Sequence, residues 1–380
     1  MINNNNERMF IYHVFINHDP KKKDSIGFCS TIQELINQLD YIEFMGFNTV
    51  MSNPLFPCKS YHGYDITDFY NIDPNIGTMK DFEQLLSELD KRDMKFIFDI
   101  TLAHTADIHP WFLDYVNGKN DYYMFKDKID NDISTDMHPT IHFYRHDYKR
   151  YLLGAFGGHM PSLNVQSESL RQEIKKILQF WISKGNNLGL RLDAIYHNRV
   201  TALNHDGIPY CEYIRKCVDE INPNCVLIGE IWDNKEMLNK PVKYSEVLGN
   251  VFDFYNSFGI INQVNQGIPY EKIKIENPYK RSTLFSCNHD TTRLYTMLNN
   301  DINKVKTVLK AMILKTNSDI SIYYGTEGNW YGMVCNGNDL PVRSKMDYEH
   351  MGNLISGKYN SLIYYIKDLI TQAKNNNINK

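Results

Sequence analysis

Eight short apolar runs, rich in β-branched and aromatic residues, alternate with amphipathic helical patterns along most of this chain. The runs are FIYHVFI (10–16), FNTVMS (47–52), KFIFDITL (95–102), LGLRLDAI (188–195), CVLIGEIW (225–232), VFDFYNSF (251–258), STLFSCN (282–288) and ISIYYG (320–325). Helical spacing is clearest at 31–46, 79–93, 168–185, 303–315 and 360–374; in the last, Leu362, Ile366, Leu369 and Ala373 form one apolar stripe. Near-continuous apolar strands separated by helices predict a parallel sheet buried on both faces. Eight such strands with a closing helix are the count of an α/β chain folded as a (β/α)8 TIM barrel. A doubly wound open sheet is the rival, but no GxGxxG follows the first strand.

One interruption breaks the rhythm. Residues 106–166, after the third strand, are rich in Tyr, His, Asp and Gly and far longer than an ordinary strand-to-helix loop. They are read as a small inserted subdomain at the barrel mouth, with the barrel itself formed by 1–105 and 167–380. The chain of 380 residues is ample for such a domain.

Composition excludes several classes of function. The formal net charge of −4, with no basic run beyond Lys21-Lys22-Lys23, argues against a nucleic-acid partner. No apolar stretch of about 18 residues exists, so no membrane span is expected. The N-terminus lacks a signal-peptide pattern, and seven Cys without CxxC pairing suit reduced thiols; a cytoplasmic location is expected. The Asn-rich ends read as frayed tails.

In a barrel of this kind, chemistry sits at the carboxyl ends of the strands. Charged and imidazole side chains fall at those ends here. Asp99 and His104 follow the third strand; Arg191, Asp193 and His197 end the fourth; Glu230 ends the fifth; His289 and Asp290 follow the seventh. Taken singly, each could be a helix cap or a loop ion pair. Together they form a set, and none of the strand-end histidines makes an HxxxH metal pair. In a strand, residues two apart share a face, so Arg191 and Asp193 point the same way. Arg191 would then hold Asp193 ionised, whereas Glu230, between VLIG and Ile231-Trp232, has an apolar setting that favours the protonated form. Two carboxyl groups kept in opposite protonation states suit glycoside hydrolysis, with Asp193 as nucleophile and Glu230 as acid/base.

At these residues the chain resembles the α-amylase family of glycoside hydrolases. DITLAHT (99–105), GLRLDAIYH (189–197), GEIW (229–232) and FSCNHD (285–290) resemble its four strand-end motifs, in order. MPSLN (160–164), SYHGYDITDFYNIDPNIGTMKDF (60–82) and NDLPVRSKM (338–346) are similar to further segments, so the resemblance covers roughly 10–374. It implies Asp193 as nucleophile, Glu230 as general acid/base and Asp290 as transition-state stabiliser. It implies that Arg191 positions the nucleophile and that His104, His197 and His289 contact sugar hydroxyls. Tyr64 would stack beneath the sugar, Asp99 would buttress the site, and Asp339 and Arg343 would line it. The implied substrate is an α-glucan and the implied reaction is retaining cleavage of α-1,4 bonds, with no cofactor. Transfer to a sugar acceptor on the same site is an alternative, as is a non-catalytic glycan- or partner-binding descendant.

The departures carry information. Ala103 stands where the family usually has Asn, and Ser162 replaces an Asp, so the calcium ligands at these places are lost and no metal is expected there. Tyr196 stands where many amylases have Lys, which alters the product-side sugar contact. Tyr61 occupies a spot where exo-acting α-glucosidases tend to place an acidic residue. No strand-rich stretch follows the last helix to build the C-terminal β-sandwich of most relatives. The helix ends it would cover are candidates for burial in a homodimer.

Overall fold

The computed structural model describes residues 7–128, 142–154, 156–232, 238–357 and 361–378. Along the chain the described strands are β1 (Phe10–His13), β2 (Thr49–Ser52), β3 (Lys95–Ile100), β4 (Phe125–Lys126), β5 (His142–Arg145), β6 (Arg150–Leu153), β7 (Leu188–Leu192), β8 (Leu227–Gly229), β9 (Thr283–Phe285) and β10 (Asp319–Tyr323). The chain divides into two compact units: Met1–Ser52, Gln84–Phe96 and Phe252–Lys380 form the first; Asn53–Glu83 and Ile97–Val251 form the second.

In the first unit the strands run parallel in the order β2-β1-β10-β9. Tyr12 lies opposite Val50 and Ile322, and Ile320 lies opposite Leu284. All four strands are buried along their whole length, as continuous apolar runs require. The helix Ile302–Leu314 starts where Asp301 accepts the N–H groups of Asn303 and Lys304. It packs against the helix Ile363–Ile378. The stripe expected on that last helix is buried: Leu362, Ile366, Leu369 and Ala373 all face the core. The helix expected over 31–46 is two, Ile32–Ile36 and Leu39–Phe44. Thr31 caps the first through Glu34 N–H, and the Glu34 carboxylate returns to Ser30 N–H at 2.8 Å.

The run 251–258 is a correction. Phe252 makes a single parallel bridge to Thr283, and the chain then enters a helix, Phe254–Asn265. The cause is local. Asp253 accepts the Asn256 N–H at 2.9 Å as a helix cap, and Phe254, Ser257, Ile261 and Val264 then fall on one buried helical face. Burial pushes the Asp253 carboxyl up to about 6, although Asn256 donates to it from both side chain and backbone. Asp253→Ala is expected to lose about 1–2 kcal/mol in urea unfolding, while Asp253→Asn, which keeps the acceptor, loses far less. Equal losses would show that the cap is not what starts this helix.

The second unit has the order β8-β7-β3, with Leu190 opposite Leu227 and Arg191 opposite Ile228. Val251 bridges Gly229 beside β8. The helix Glu168–Ile182 opens on a Ser167 cap that accepts Leu170 N–H, and buries Leu170, Ile174, Ile177, Leu178 and Trp181. The helix Ile208–Ile221 buries Tyr210, Cys211, Ile214 and Val218. Within the expected insertion, 106–166, lies a separate antiparallel sheet of order β4-β6-β5, preceded by the helix Pro110–Val116. Residues 129–141 and 155 of that insertion lie outside the described residues. No helix among the described residues is long and apolar enough to cross a membrane. Five of the seven cysteines are buried, Cys58 is half-buried and Cys335 exposed.

Candidate active site

Arg191 is the penultimate residue of β7, and Asp193 follows the strand's last residue. Their side chains meet as the alternation requires, with Arg191 Nη1 donating to Asp193 Oδ1 at 2.7 Å. The same Nη1 donates to Asp99 Oδ2, at the end of β3, and Nη2 pairs with Glu230 Oε1 at 2.7 Å. One guanidinium, only 2% exposed, therefore holds three carboxylates, themselves all buried. Backbone pairing sets their positions: Asp193 N–H donates to Ile100 O and Glu230 N–H to Leu192 O.

Ala194 fixes the fourth side of this cluster. Its backbone is left-handed, with φ of 44°, and its N–H donates to Glu230 Oε2 at 2.9 Å. A non-glycine residue in that region is held there by its surroundings. Both oxygens of Glu230 thus have donors. The purely apolar setting expected from VLIG and Ile231-Trp232 is not what surrounds it, because the second prong of Arg191 reaches it.

Tyr64 donates its hydroxyl to Asp99 Oδ2 at 2.9 Å, and its ring centre lies 6.0 Å from the Arg191 guanidinium carbon. His104 Nε2 is 3.1 Å from Tyr64 O. Burial holds the His104 imidazole down to about 4, so the ring is neutral near neutral pH. For Arg191, burial opposes the charge, but Asp99, Glu230 and Asp193 outweigh it and keep the guanidinium protonated. Asp99 is pushed up to about 7, first by burial and then by the charge of Glu230, against the opposing pull of Arg191 and Tyr64. Asp99 therefore keeps its proton to a higher pH than an ordinary carboxyl group.

The first unit holds a second arginine cluster. Arg343 Nη2 reaches Asp290 Oδ1 at 2.8 Å and Asp339 Oδ2 at 2.7 Å, and its Nε donates to His289 O. His289 Nε2 lies 3.0 Å from Asp290 Oδ2. The Arg343 guanidinium carbon lies 5.0 Å from the Phe15 ring centre. Thus Tyr64, Asp99, His104, Arg191, Asp193 and Glu230 come together in one unit, and His289, Asp290, Asp339 and Arg343 in the other.

His197 lies beside a residue that motif reading missed. Phe156, from the insertion, has its ring centre 5.1 Å from His104 and 4.9 Å from His197. Its only signal in the sequence is a bulky aromatic next to paired glycines. Tyr196 brings a second such finding: Lys240 Nζ, from the helix Asn239–Leu248, donates to its hydroxyl at 2.9 Å, and Arg199 lies 4.6 Å over its ring. Two cations, the remote Lys240 and Arg199 from the same turn, therefore gather where the family's lysine is absent.

The donor set at the family's calcium place does not fit that ion. Ala103 offers only its carbonyl, which already accepts Leu163 N–H at 2.8 Å, and Ser162 offers a neutral hydroxyl.

The family model for the alpha amylase catalytic domain matches residues 10–358. The chain is 33% identical to alpha-amylase 3 of Dictyoglomus thermophilum over 335 residues, 83% of this chain and 63% of that protein. It is 27% identical to the intracellular maltogenic amylase of Bacillus subtilis over 369 residues, 94% of this chain and 57% of that one. The chain therefore spans about three fifths of the length of these curated relatives. Among solved structures, the α-amylase of H. orenii matches 98% of this chain and 83% of its own, with a TM-score of 0.80 at 24% identity. That likeness shows the fold, a (β/α)8 barrel.

Proposed function

The chain belongs to the α-amylase family of glycoside hydrolases, and on that premise we propose that it cleaves α-1,4-glucosidic bonds of starch-type glucans, maltooligosaccharides or cyclodextrins with retention of anomeric configuration. The observation that carries this reading is the buried Arg191 cluster, which holds Asp193 and Glu230 on one guanidinium. Retaining hydrolysis needs one ionised and one protonated carboxyl group close together. Arg191 supports the ionised form of Asp193, whose Oδ1 accepts from Nη1 at 2.7 Å.

In the first step an Asp193 oxygen attacks the anomeric carbon while the bond from that carbon to the bridging oxygen breaks. Glu230 delivers its proton to the leaving oxygen. In the second step Glu230 takes a proton from water, whose oxygen attacks the same carbon and releases Asp193. Asp290 stabilises the positive charge on the ring in both transition states, held by Arg343 and His289. Neutral His104, with His197 and His289, serves the sugar hydroxyls; Tyr64 stacks beneath the ring; Asp99 and Arg191 fix the two working carboxylates. Asp339 lines the site through Arg343. The barrel is read as 1–105 and 167–380, with 106–166 as the insertion that brings Phe156.

Incubation with maltooligosaccharides, soluble starch, pullulan and cyclodextrins, with products resolved by length and first-formed anomer, tests the reading. Shorter glucans of α configuration are expected. Inversion of configuration, or no product from any substrate, would overturn it. A chelator is expected to leave rate and melting temperature unchanged, because the donors at Ala103 and Ser162 are too few; a large loss of either would count against that.

A further inference from the structure

Arg343 aims one guanidinium at Asp290, Asp339 and the His289 carbonyl, yet it stands at the end of a short helical turn, Leu340–Arg343, outside the parallel strands. So short a turn does not fix its own last residue. Two fastenings do. On one side Arg343 O accepts Gly27 N–H at 2.8 Å, and Met346 N–H returns to Gly27 O at 2.9 Å. Gly27 has φ of +91°, and a Cβ there would stand 2.9 Å from Phe15 O, so this fastening needs glycine. On the other side the Tyr324 hydroxyl donates to Ser344 O at 2.7 Å, one residue beyond the arginine.

Tyr324 is rooted in the sheet. It follows β10 directly, and its N–H donates to His13 O at 2.9 Å, which carries the β1–β10 pairing one residue further. Its ring is wholly buried, with the Phe28 ring centre 5.8 Å away and the Arg293 guanidinium carbon at 4.8 Å. Arg293 Nη1 also donates to Tyr324 O. Burial pushes the phenol up from its ordinary value, against the opposing pull of Arg293, so the hydroxyl remains a donor. A hydroxyl on so fixed a ring sets the height of the chain at Ser344, and with it the reach of Arg343.

That reach matters for Asp290. Its side chain is 34% exposed, and its two oxygens are held by Arg343 Nη2 at 2.8 Å and His289 Nε2 at 3.0 Å. A group that stabilises a transition state works by being in place before the charge develops, and a shift of about 1 Å costs up to about 10²-fold in rate. We propose that Tyr324 is a positioning residue, which acts through Ser344 and Arg343 on Asp290; the role rests on the proposed activity. The hydrogen bond itself is an ordinary one, so its loss costs the fold little and the reaction more.

Tyr324→Phe removes only the hydroxyl and keeps the ring against Arg293. With maltoheptaose, and kcat expressed per folded molecule from near-ultraviolet circular dichroism, kcat is expected to fall about tenfold while KM stays within about twofold. Arg343→Met should lower kcat by itself, and adding Tyr324→Phe to it should change kcat by less than about twofold, since no guanidinium is left to aim. The same loss in both backgrounds overturns the proposal, as does a single variant whose kcat stays within about twofold of wild type, whatever its KM. A second readout needs no turnover. By NMR the Arg343 Nε–H, which donates to His289 O at 2.9 Å, should exchange with solvent faster in Tyr324→Phe. If α-glucans are cleaved while kcat and this exchange are both unchanged, the role of Tyr324 falls and the activity stands. If no α-glucan is cleaved yet the exchange quickens, the activity fails and Tyr324 is a support of Arg343 alone, which overturns the positioning role.

Discussion

Asp193→Asn is expected to lower kcat on maltoheptaose by about 10⁴-fold or more, with little change in binding or melting temperature. The amide is isosteric with the carboxylate and still offers an oxygen to Arg191 Nη1, which lies 2.7 Å from Asp193 Oδ1. Packing should therefore survive. What disappears is the nucleophile, because a neutral amide oxygen cannot form the glycosyl ester that the retaining route requires. Removing a uniformly binding group would raise KM instead and leave kcat largely intact. A variant that keeps more than about one hundredth of wild-type kcat would show that Asp193 is a structural partner of Arg191 and not the attacking group.

The Arg191–Asp193 contact was legible because it depends only on strand periodicity: two residues apart in an apolar run must share a face. The seven strands other than the run at 251–258 were legible for the same kind of reason. Of that run only Val251 and Phe252 pair as a strand; the rest was misread because its aromatic alternation fits a strand and a helix equally over a few residues. Asp253, buried and accepting Asn256 N–H, decides for the helix. The Glu230 setting could not be read locally. Its neighbours in sequence are apolar, but the second prong of Arg191 and the left-handed N–H of Ala194 arrive through the pairing of β7 with β8. Phe156 and Lys240 belong to the same class of miss. Each meets its partner, His197 or Tyr196, across tens of residues of chain, and no spacing rule links them.

Arg191→Met should have the largest effect on stability, and the effect should depend on pH. The substitution keeps much of the side-chain volume but leaves Asp99, Asp193 and Glu230 buried with no countercharge. Removing one partner of a buried ion pair costs roughly 3–5 kcal/mol when the remaining charge cannot escape. Here the remaining groups can escape by taking up protons. In the wild type, Asp99 already sits at about 7, above the ordinary carboxylate range, so the folded chain binds a proton that the unfolded chain has released. This group therefore favours the folded state at low pH, and that contribution falls as pH rises from about 4 through 7. Without the lowering pull of Arg191 the Asp99 carboxyl moves higher still, and the penalty extends to more alkaline pH. Urea unfolding should show a loss of roughly 3–5 kcal/mol at about pH 8 and a much smaller one at about pH 5, where the carboxyl groups are largely protonated. Adding Asp99→Asn to Arg191→Met should return part of the loss at the higher pH, since one buried charge is removed. A loss equal at both pH values would mean that Arg191 stabilises the fold through packing alone.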